Sequence, residues 1–381
     1  MAREPSEFQD GPPNRMTNLV QRSTRVIQKT VRKAFPVPKM TEELQAVLDN
    51  RLQEALDNGQ PNEIKTSLTQ GANVNTRGTK HGKTPLLFAI SHDFDLQDMV
   101  KLTLGNTNVD INARDNTGNT ALSYAVKKVD EDLVGILLDR GAQVDQDLLH
   151  RLPESGGTTF TIAKLLIQAG ARMDSRDETG RTPLLALCAK GMFFGEKDTE
   201  LAKLYLDYGA DPTARDGSGQ TALAWAVRAR YMPCSPFAMT AASNSQQGII
   251  KLLLEAGGMG LLDQQDGKGR TPLMRAVETG VTAIYDPLEK GVSCQCEIIS
   301  LLLDRGAVID VRDQVGWTAL WVAVLTDSPR LAVVKLLIER GGDLGVRDNN
   351  GKALLSQAIE KHGRDDGPVV KLLREQTVSQ A

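Results

Sequence analysis

Aromatic residues are scarce in this chain: Phe, Trp and Tyr make up 4% of its 381 residues. A core of stacked rings is not expected, and thin layers filled by Leu and Ala fit the composition better. Cysteine and histidine are rare too, with four of each. Cys188, Cys234, Cys294 and Cys296 have no metal-ligand spacing and no histidine (His81, His92, His150, His362) beside them in sequence. A zinc site is therefore not expected, and a reducing compartment is the simpler setting. Cys294-Gln295-Cys296 has closely spaced thiols, but no motif or helix start there points to a lowered thiol pKa. No apolar run approaches the length of a bilayer span and no apolar signal segment follows Met1. Neither membrane spanning nor secretion is expected, and the expected localisation is cytoplasmic or nuclear.

Acids are missing altogether from Gly11 to Thr41, where Arg15, Arg22, Arg25, Lys29, Arg32, Lys33 and Lys39 accumulate. Residues 1–40 carry a net charge of +5 and the rest of the chain −8, so a basic tail precedes an acidic body. Leu19, Val20, Val26, Ile27, Val31, Ala34 and Phe35 recur at helical spacing up to Pro36, so a helix here is amphipathic. The segment is read as a disordered or amphipathic tail. Residues 15–35 fit contact with a membrane surface or a partner groove, and from Met16 they also have the look of a mitochondrial targeting segment, against which Glu4, Glu7 and Asp10 argue. Nucleic-acid binding is not expected, because Phe35 is the one aromatic between Gly11 and Thr41.

What the chain has in quantity is a recurring phrase. It reads Gly118-Asn119-Thr120-Ala121-Leu122, Gly180-Arg181-Thr182-Pro183-Leu184 and Gly269-Arg270-Thr271-Pro272-Leu273. Thr suits a helix N-cap, and Pro is tolerated at the next position because the first helical N–H has no intrahelical partner. A second phrase closes each unit: Leu137-Leu138-Asp139-Arg140-Gly141-Ala142, Leu165-Leu166-Ile167-Gln168-Ala169-Gly170-Ala171 and Leu301-Leu302-Leu303-Asp304-Arg305-Gly306-Ala307. The Leu cluster is a buried helical stripe and the Gly fits a left-handed helix end. Between closure and next Thr lie turn residues suited to a short hairpin. Each unit is thus hairpin, helix, turn, helix, and a stack of such units buries each apolar face against its neighbours.

With its Thr84-Pro85-Leu86-Leu87-Phe88-Ala89 and Thr271-Pro272-Leu273-Met274-Arg275-Ala276 phrases, the chain resembles the ankyrin repeat, whose consensus opens T-P-L-H-x-A. The resemblance implies an all-α ankyrin-repeat solenoid of helix-turn-helix units with short β-hairpin connections. It covers residues 41–376 in nine units, with a tail at 1–40 and another at 377–381. Leu48, Leu52 and Leu56 mark the helical face of an N-terminal capping unit that lacks the opening phrase. The fourth unit, where Val144 to His150 replace hairpin and Thr-Pro start, is expected to have a shortened first helix. Extra length near 190–199, 229–247 and 279–296 is expected between the two helices of three units, either as a second contact edge or as surface growth without a role.

No nucleophile, base and orienting group recur together, so catalysis, cofactors and metals are not expected. The Asp-x-x-Gly segments lack the alternating carboxylates of a calcium loop, and each Asp is expected to bond backbone in its hairpin. The resemblance implies a concave protein-binding surface made by hairpin tips and first helices. Carried over position by position, it selects Lys80, His81, Lys83, Asn119, Lys127 and Lys128 as partner-binding, then Arg181, Lys190, Gln220, Arg228, Lys268, Arg270, Trp317 and Lys352. Most of these are cations, which favours an acidic partner segment. Trp317 is the anchor candidate, while Trp225 and Trp321 are assigned to the interior. The sequence therefore reads as a monomeric, non-enzymatic scaffold or adaptor; the alternative is a regulatory subunit that inhibits or targets a bound enzyme.

Overall fold

The computed structural model describes residues 42–92, 97–152, 157–190, 194–228, 236–278, 290–327, 329–362 and 367–379. The N-terminal tail, with its segment 15–35, lies outside the described residues, as do 191–193, 229–235 and 279–289 of the insertions and the end of the C-terminal tail, 380–381. Seventeen α-helices occur among the described residues, and the only extended pairing there is two isolated antiparallel bridges, Arg215 with Thr221 and Arg347 with Ala353. The hairpins are thus tight turns whose flanks barely pair.

Helix boundaries follow the recurring phrases. The hydroxyls of Thr84, Thr182, Thr221 and Thr271 accept from the backbone N–H of Leu87, Leu185, Ala224 and Met274 at 3.3 to 3.4 Å, satisfying one of the donors that a helix start leaves open. At the closing phrase, Gly141, Gly170, Gly209, Gly306 and Gly341 have φ between +84° and +96°, the left-handed turn that ends the Leu-rich helix.

The chain forms two compact units. The first comprises the described residues up to Lys128 together with Gly135–Gln143. It contains α1 (Glu42–Asp57), α2 (Pro61–Thr69), α3 (Pro85–Ser91), α4 (Gln97–Leu104) and α5 (Ala121–Lys128). Leu48, Leu52 and Leu56 are buried as expected, packed with Ile64, Phe88 and Met99. Helix α6 (Glu131–Asp139) contributes residues to both units.

The second unit comprises Val129–Val134 and the residues from Val144 on. It holds α7 (Gly157–Gln168), α8 (Pro183–Ala189), α9 (Glu196–Asp207), α10 (Ala222–Ala226), α11 (Pro236–Gly257) and α12 (Pro272–Glu278). These are followed by α13 (Lys290–Asp304), α14 (Ala319–Val324), α15 (Leu331–Glu339), α16 (Leu354–His362) and α17 (Pro368–Ser379). First helices α8, α10, α12 and α14 pack in succession, as second helices α9 with α11 and α13 with α15 do. Leu184, Leu223, Leu273, Leu302, Leu320 and Leu337 fill the layers between them and are at most 1% exposed.

Two details differ from the sequence-based expectation. The fourth repeat has no shortened first helix: residues 145–151 form turns held by Leu148 N–H to Asp145 C=O at 3.2 Å and His150 N–H to Asp147 C=O at 3.0 Å. Without a Thr-Pro start nothing nucleates the helix, yet Leu148 and Leu149 remain buried and preserve the layer. The insertions near 229–247 and 279–296 are not loops throughout, because α11 and α13 begin at Pro236 and Lys290 and run 22 and 15 residues. Inside these helices a buried glutamine caps the preceding first helix. Gln246 Nε2 donates to the Ala226 carbonyl at 2.7 Å, and Gln295 Nε2 to Ala276 and Val277 at 2.9 and 3.0 Å. A side-chain amide thus satisfies carbonyls that a short connection would otherwise leave to local turns.

Candidate partner-binding face

The first hairpin tip, Gly78 to Gly82, has no Asp and is closed by Gly78 N–H on the Lys83 carbonyl at 3.0 Å. Six tips are Asp-x-x-Gly turns, closed by the Asp N–H on the carbonyl four residues later at 2.9 to 3.1 Å for Asp115, Asp177, Asp216, Asp266, Asp313 and Asp348. The carboxylate turns back into its own tip. Asp216 Oδ1 accepts from Ser218 N–H at 2.8 Å, Ser218 Oγ at 2.7 Å and Gln220 N–H at 3.0 Å. Asp177, Asp266, Asp313 and Asp348 hold the same two backbone N–H groups of their tips. The structural role expected for these aspartates is the one they have.

The second carboxylate oxygen faces the side chain nine residues on. Tyr124 donates its hydroxyl to Asp115 at 2.6 Å, Trp225 its Nε1 to Asp216 at 2.7 Å, and Arg275 Nε lies 3.6 Å from Asp266. Trp225 is therefore half-buried and tied to a tip rather than part of the interior, whereas Trp321 is fully buried as expected.

In the second unit, five tips form one hydrogen-bonded row. Gly217 N–H donates to Thr179 C=O, Gly267 to Ser218, Gln314 to Lys268 and Asn349 to Val315, at 3.0 to 3.2 Å. Beside it runs a ladder that sequence reasoning missed, made by the residue before each Asp. Arg176 donates to the Gly180 and Arg215 carbonyls, Arg215 to Gly219 and Gln265, Gln265 to Gly269 and Arg312, and Arg312 to Gly316 and Arg347. With carboxylates and backbone committed to each other, the two residues between Asp and Gly lie at the surface, where Thr179 and Ser218 donate their hydroxyls to Asp177 and Asp216, and Gln314 and Asn349 their amides to the Gly267 and Gln314 carbonyls. Glu178, Thr179, Gly217, Ser218, Gly267, Lys268, Gln314, Val315, Asn349 and Asn350 are all exposed.

The residues selected from the sequence divide by neighbourhood. In the first unit, Lys80 Nζ donates to the Asp57 carbonyl at 3.1 Å and Lys83 Nζ to Ser91 Oγ at 2.8 Å, with the ammonium 5.6 Å over the Tyr124 ring. Burial lowers the Lys83 pKa, against the pull of Asp115. Asn119 Nδ2 donates to Thr117 Oγ1 at 2.7 Å, Lys128 Nζ donates to the His92 carbonyl, and Lys127 is exposed. His81 lines a small open cleft with Asp57, Lys83, Phe88 and His92.

In the second unit, Arg181 and Arg228 lie 4.7 and 5.2 Å from the Trp225 ring centroid. Gln220 is buried and accepts from Arg275, while Lys190 is paired with the buried Asp198 at 2.7 Å. Arg270 pairs with Asp266 at 3.1 Å and Glu278 at 2.8 Å, and Lys352 with Glu360 at 3.0 Å. Lys268 is exposed. Trp317 is half-buried with its ring 6.3 Å from that of Trp321.

Burial by itself would raise the Asp216 carboxyl, but hydrogen bonds from Ser218, Trp225 and Gln220 outweigh it and hold the pKa below the usual value. Asp115, Asp177 and Asp266 are lowered against burial in the same way. A depressed native pKa contributes stability above the ordinary carboxyl value, and that contribution is lost as pH falls through the native one. Urea midpoints should therefore drop as pH falls below about 4. Asp216→Asn should be less stable at neutral pH and should lose less on acidification than the parent chain. An equally steep acid loss in that variant would remove Asp216 from this role.

Cys188 is buried and Cys296 half-buried, both as free thiols; burial pushes the Cys188 thiol up to about 12, with Asp198 adding to the effect. Among the described residues no group of His, Cys, Asp and Glu is placed to hold a metal ion, and no helix is long and apolar enough to cross a membrane.

Comparison with known proteins fits this geometry. A family model described as ankyrin repeats (3 copies) matches residues 52–147 and 289–380. An ankyrin repeat-containing protein of Treponema pallidum (strain Nichols) is 32% identical over 120 residues, which is 30% of this chain and 38% of the relative. Inversin of Mus musculus is 26% identical over 255 residues, 65% of this chain and 22% of the relative. Protein glp-1 of Caenorhabditis elegans is 29% identical over 185 residues, 45% of this chain and 13% of the relative. The matched regions thus span well under half the length of these relatives.

Proposed function

Because the chain belongs to the ankyrin-repeat family, whose repeats are generally protein-interaction modules, we propose that it is a non-enzymatic scaffold or adaptor that holds a partner protein on the five-tip row of its second unit. The observation that carries this reading is the direction of the tip side chains. Every tip aspartate is turned back into its own turn, and Thr179, Ser218, Gln314 and Asn349 bond within the row, so the row presents Glu178, Lys268, Val315 and Asn350 to a partner. Those side chains differ from tip to tip on a constant backbone, and that variation sets specificity. Val315, an apolar tip residue 53% exposed, and the neighbouring Trp317 supply apolar contact; Lys268 supplies charge. Lys190, Arg270 and Lys352 are paired within the chain, but exposed Lys268 and Arg181 over Trp225 favour a partner segment with acidic side chains.

Panning a random dodecapeptide library on the full chain supplies ligands for a direct test. The double variant Val315→Asp, Lys268→Glu should weaken them about tenfold or more, while Lys335→Glu on second helix α15 should leave affinity unchanged. Ligands that all ignore the tip variant would overturn the proposal.

A further inference from the structure

The cation at the position that opens a first helix, before Thr84, Thr271 or Ala353, has a constant partner register, and one cation breaks it. Lys83 bonds Ser91, Arg270 pairs with Glu278 at 2.8 Å and Lys352 with Glu360 at 3.0 Å, each eight residues later on the same first helix. For Arg181 that position holds Ala189. The guanidinium instead lies over the Trp225 ring of the next repeat, its Cζ 4.7 Å from the ring centroid. Its nearest carboxylate oxygen, Asp216 Oδ2, is 3.7 Å from Nε and already accepts from Trp225 Nε1 at 2.7 Å. The other oxygen of Asp216 accepts from Ser218 N–H, Ser218 Oγ and Gln220 N–H, so this carboxylate has little capacity left. Arg181 Nε is buried and has no hydrogen-bond acceptor among the described residues. Arg228 Cζ lies over the same ring at 5.2 Å from its centroid.

We propose that Arg181, held over the Trp225 ring with Arg228 beside it, is a subsite for one carboxylate side chain of a bound peptide. The inference rests on the tip-row reading and adds which residue recognises the acid. A planar guanidinium fixed on a ring has lost most of its freedom before binding, so a bidentate contact with a carboxylate costs little further entropy. The indole face keeps the contact partly out of water, which strengthens it. Arg270, equivalent in register, is already neutralised by Asp266 and Glu278 and does not compete for the acid.

The probes are synthetic fluorescein-labelled dodecapeptides recovered by panning on the full chain, measured by anisotropy against a double-mutant cycle. Changing one particular Asp or Glu of the peptide to its amide should weaken binding to the parent chain about tenfold and leave binding to Arg181→Ala almost unchanged. Arg181→Lys, which keeps the charge without the planar guanidinium, should recover only part of the affinity, and circular dichroism verifies that both variants fold. Peptides that need the tips, as judged by loss on Val315→Asp, yet carry no acid coupled to Arg181 would overturn the subsite and leave the tip-row reading standing. Peptides indifferent to both Val315→Asp and Arg181→Ala would overturn the two together.

Discussion

Trp321→Ala is expected to lower stability by about 3–5 kcal/mol, among the largest losses for a single truncation in this chain. Trp321 is fully buried and is the largest fully buried side chain among the described residues. It sits on short first helix α14, and its ring stacks 6.3 Å from that of Trp317. The layers of a repeat are thin, so the neighbouring helices have few side chains with which to refill the void. A companion variant separates volume from polarity. Trp321 Nε1 is buried without a hydrogen-bond partner, so Trp321→Phe removes an unsatisfied donor while keeping an aromatic ring, and it should cost less than about 1.5 kcal/mol. Urea denaturation followed by far-ultraviolet circular dichroism measures both. Equal losses for Phe and Ala would contradict the assignment of Trp321 as a volume-filling side chain.

Gly269→Ala comes next in size, and Gly351→Ala is its internal control. Both glycines have positive φ, +79° and +76°. An alanine at either position carries left-handed strain of about 1–2 kcal/mol. At Gly351 a Cβ meets nothing within 4 Å, but at Gly269 it lies 2.8 Å from the Gln314 backbone N and 3.2 Å from the Asp313 Cα. Those atoms belong to the next tip, whose Gln314 N–H donates to the Lys268 carbonyl at 3.2 Å, so an alanine pushes the two tips apart. Gly269→Ala should therefore exceed Gly351→Ala by about 1–3 kcal/mol, the usual cost of overpacking. Faster hydrogen exchange at the Gln314 amide should accompany the loss. Indistinguishable midpoints for the two variants would mean that contact between these tips contributes little.

Much of this architecture was legible in the sequence because it rests on local chemistry. Thr before Pro at a helix start and Gly after a Leu cluster act within a few residues, and the helices begin and end there. The tip aspartates were legible for the same reason, since their partners lie two and four residues away. Features that depend on which residues meet between repeats were not. Trp225 reads as interior from its place on the first helix, but its position is set by Asp216 nine residues earlier and by Arg181 in the preceding repeat.

The carbonyl ladder left a signal that passed unused, the recurrence of Arg before Asp at Arg176-Asp177, Arg215-Asp216, Arg312-Asp313 and Arg347-Asp348. Only the meeting of neighbouring tips gives that dipeptide its meaning. The eight-residue register of Arg270 with Glu278 and of Lys352 with Glu360 is likewise printed in the sequence, and several cations selected for a partner are engaged by it within the chain. Helix α11 was hidden by Pro233 and Pro236, which read as a loop, although Pro236 occupies a first helical turn where proline is tolerated.

Hydrogen exchange on the full chain, free and saturated with a panned dodecapeptide, tests the proposed binding face most directly. Protection is expected at the tips 177–180, 216–219, 266–269, 313–316 and 348–351, with second helices α9, α13 and α15 unchanged. Protection confined to those second helices, with the tips exchanging as in the free chain, would contradict it.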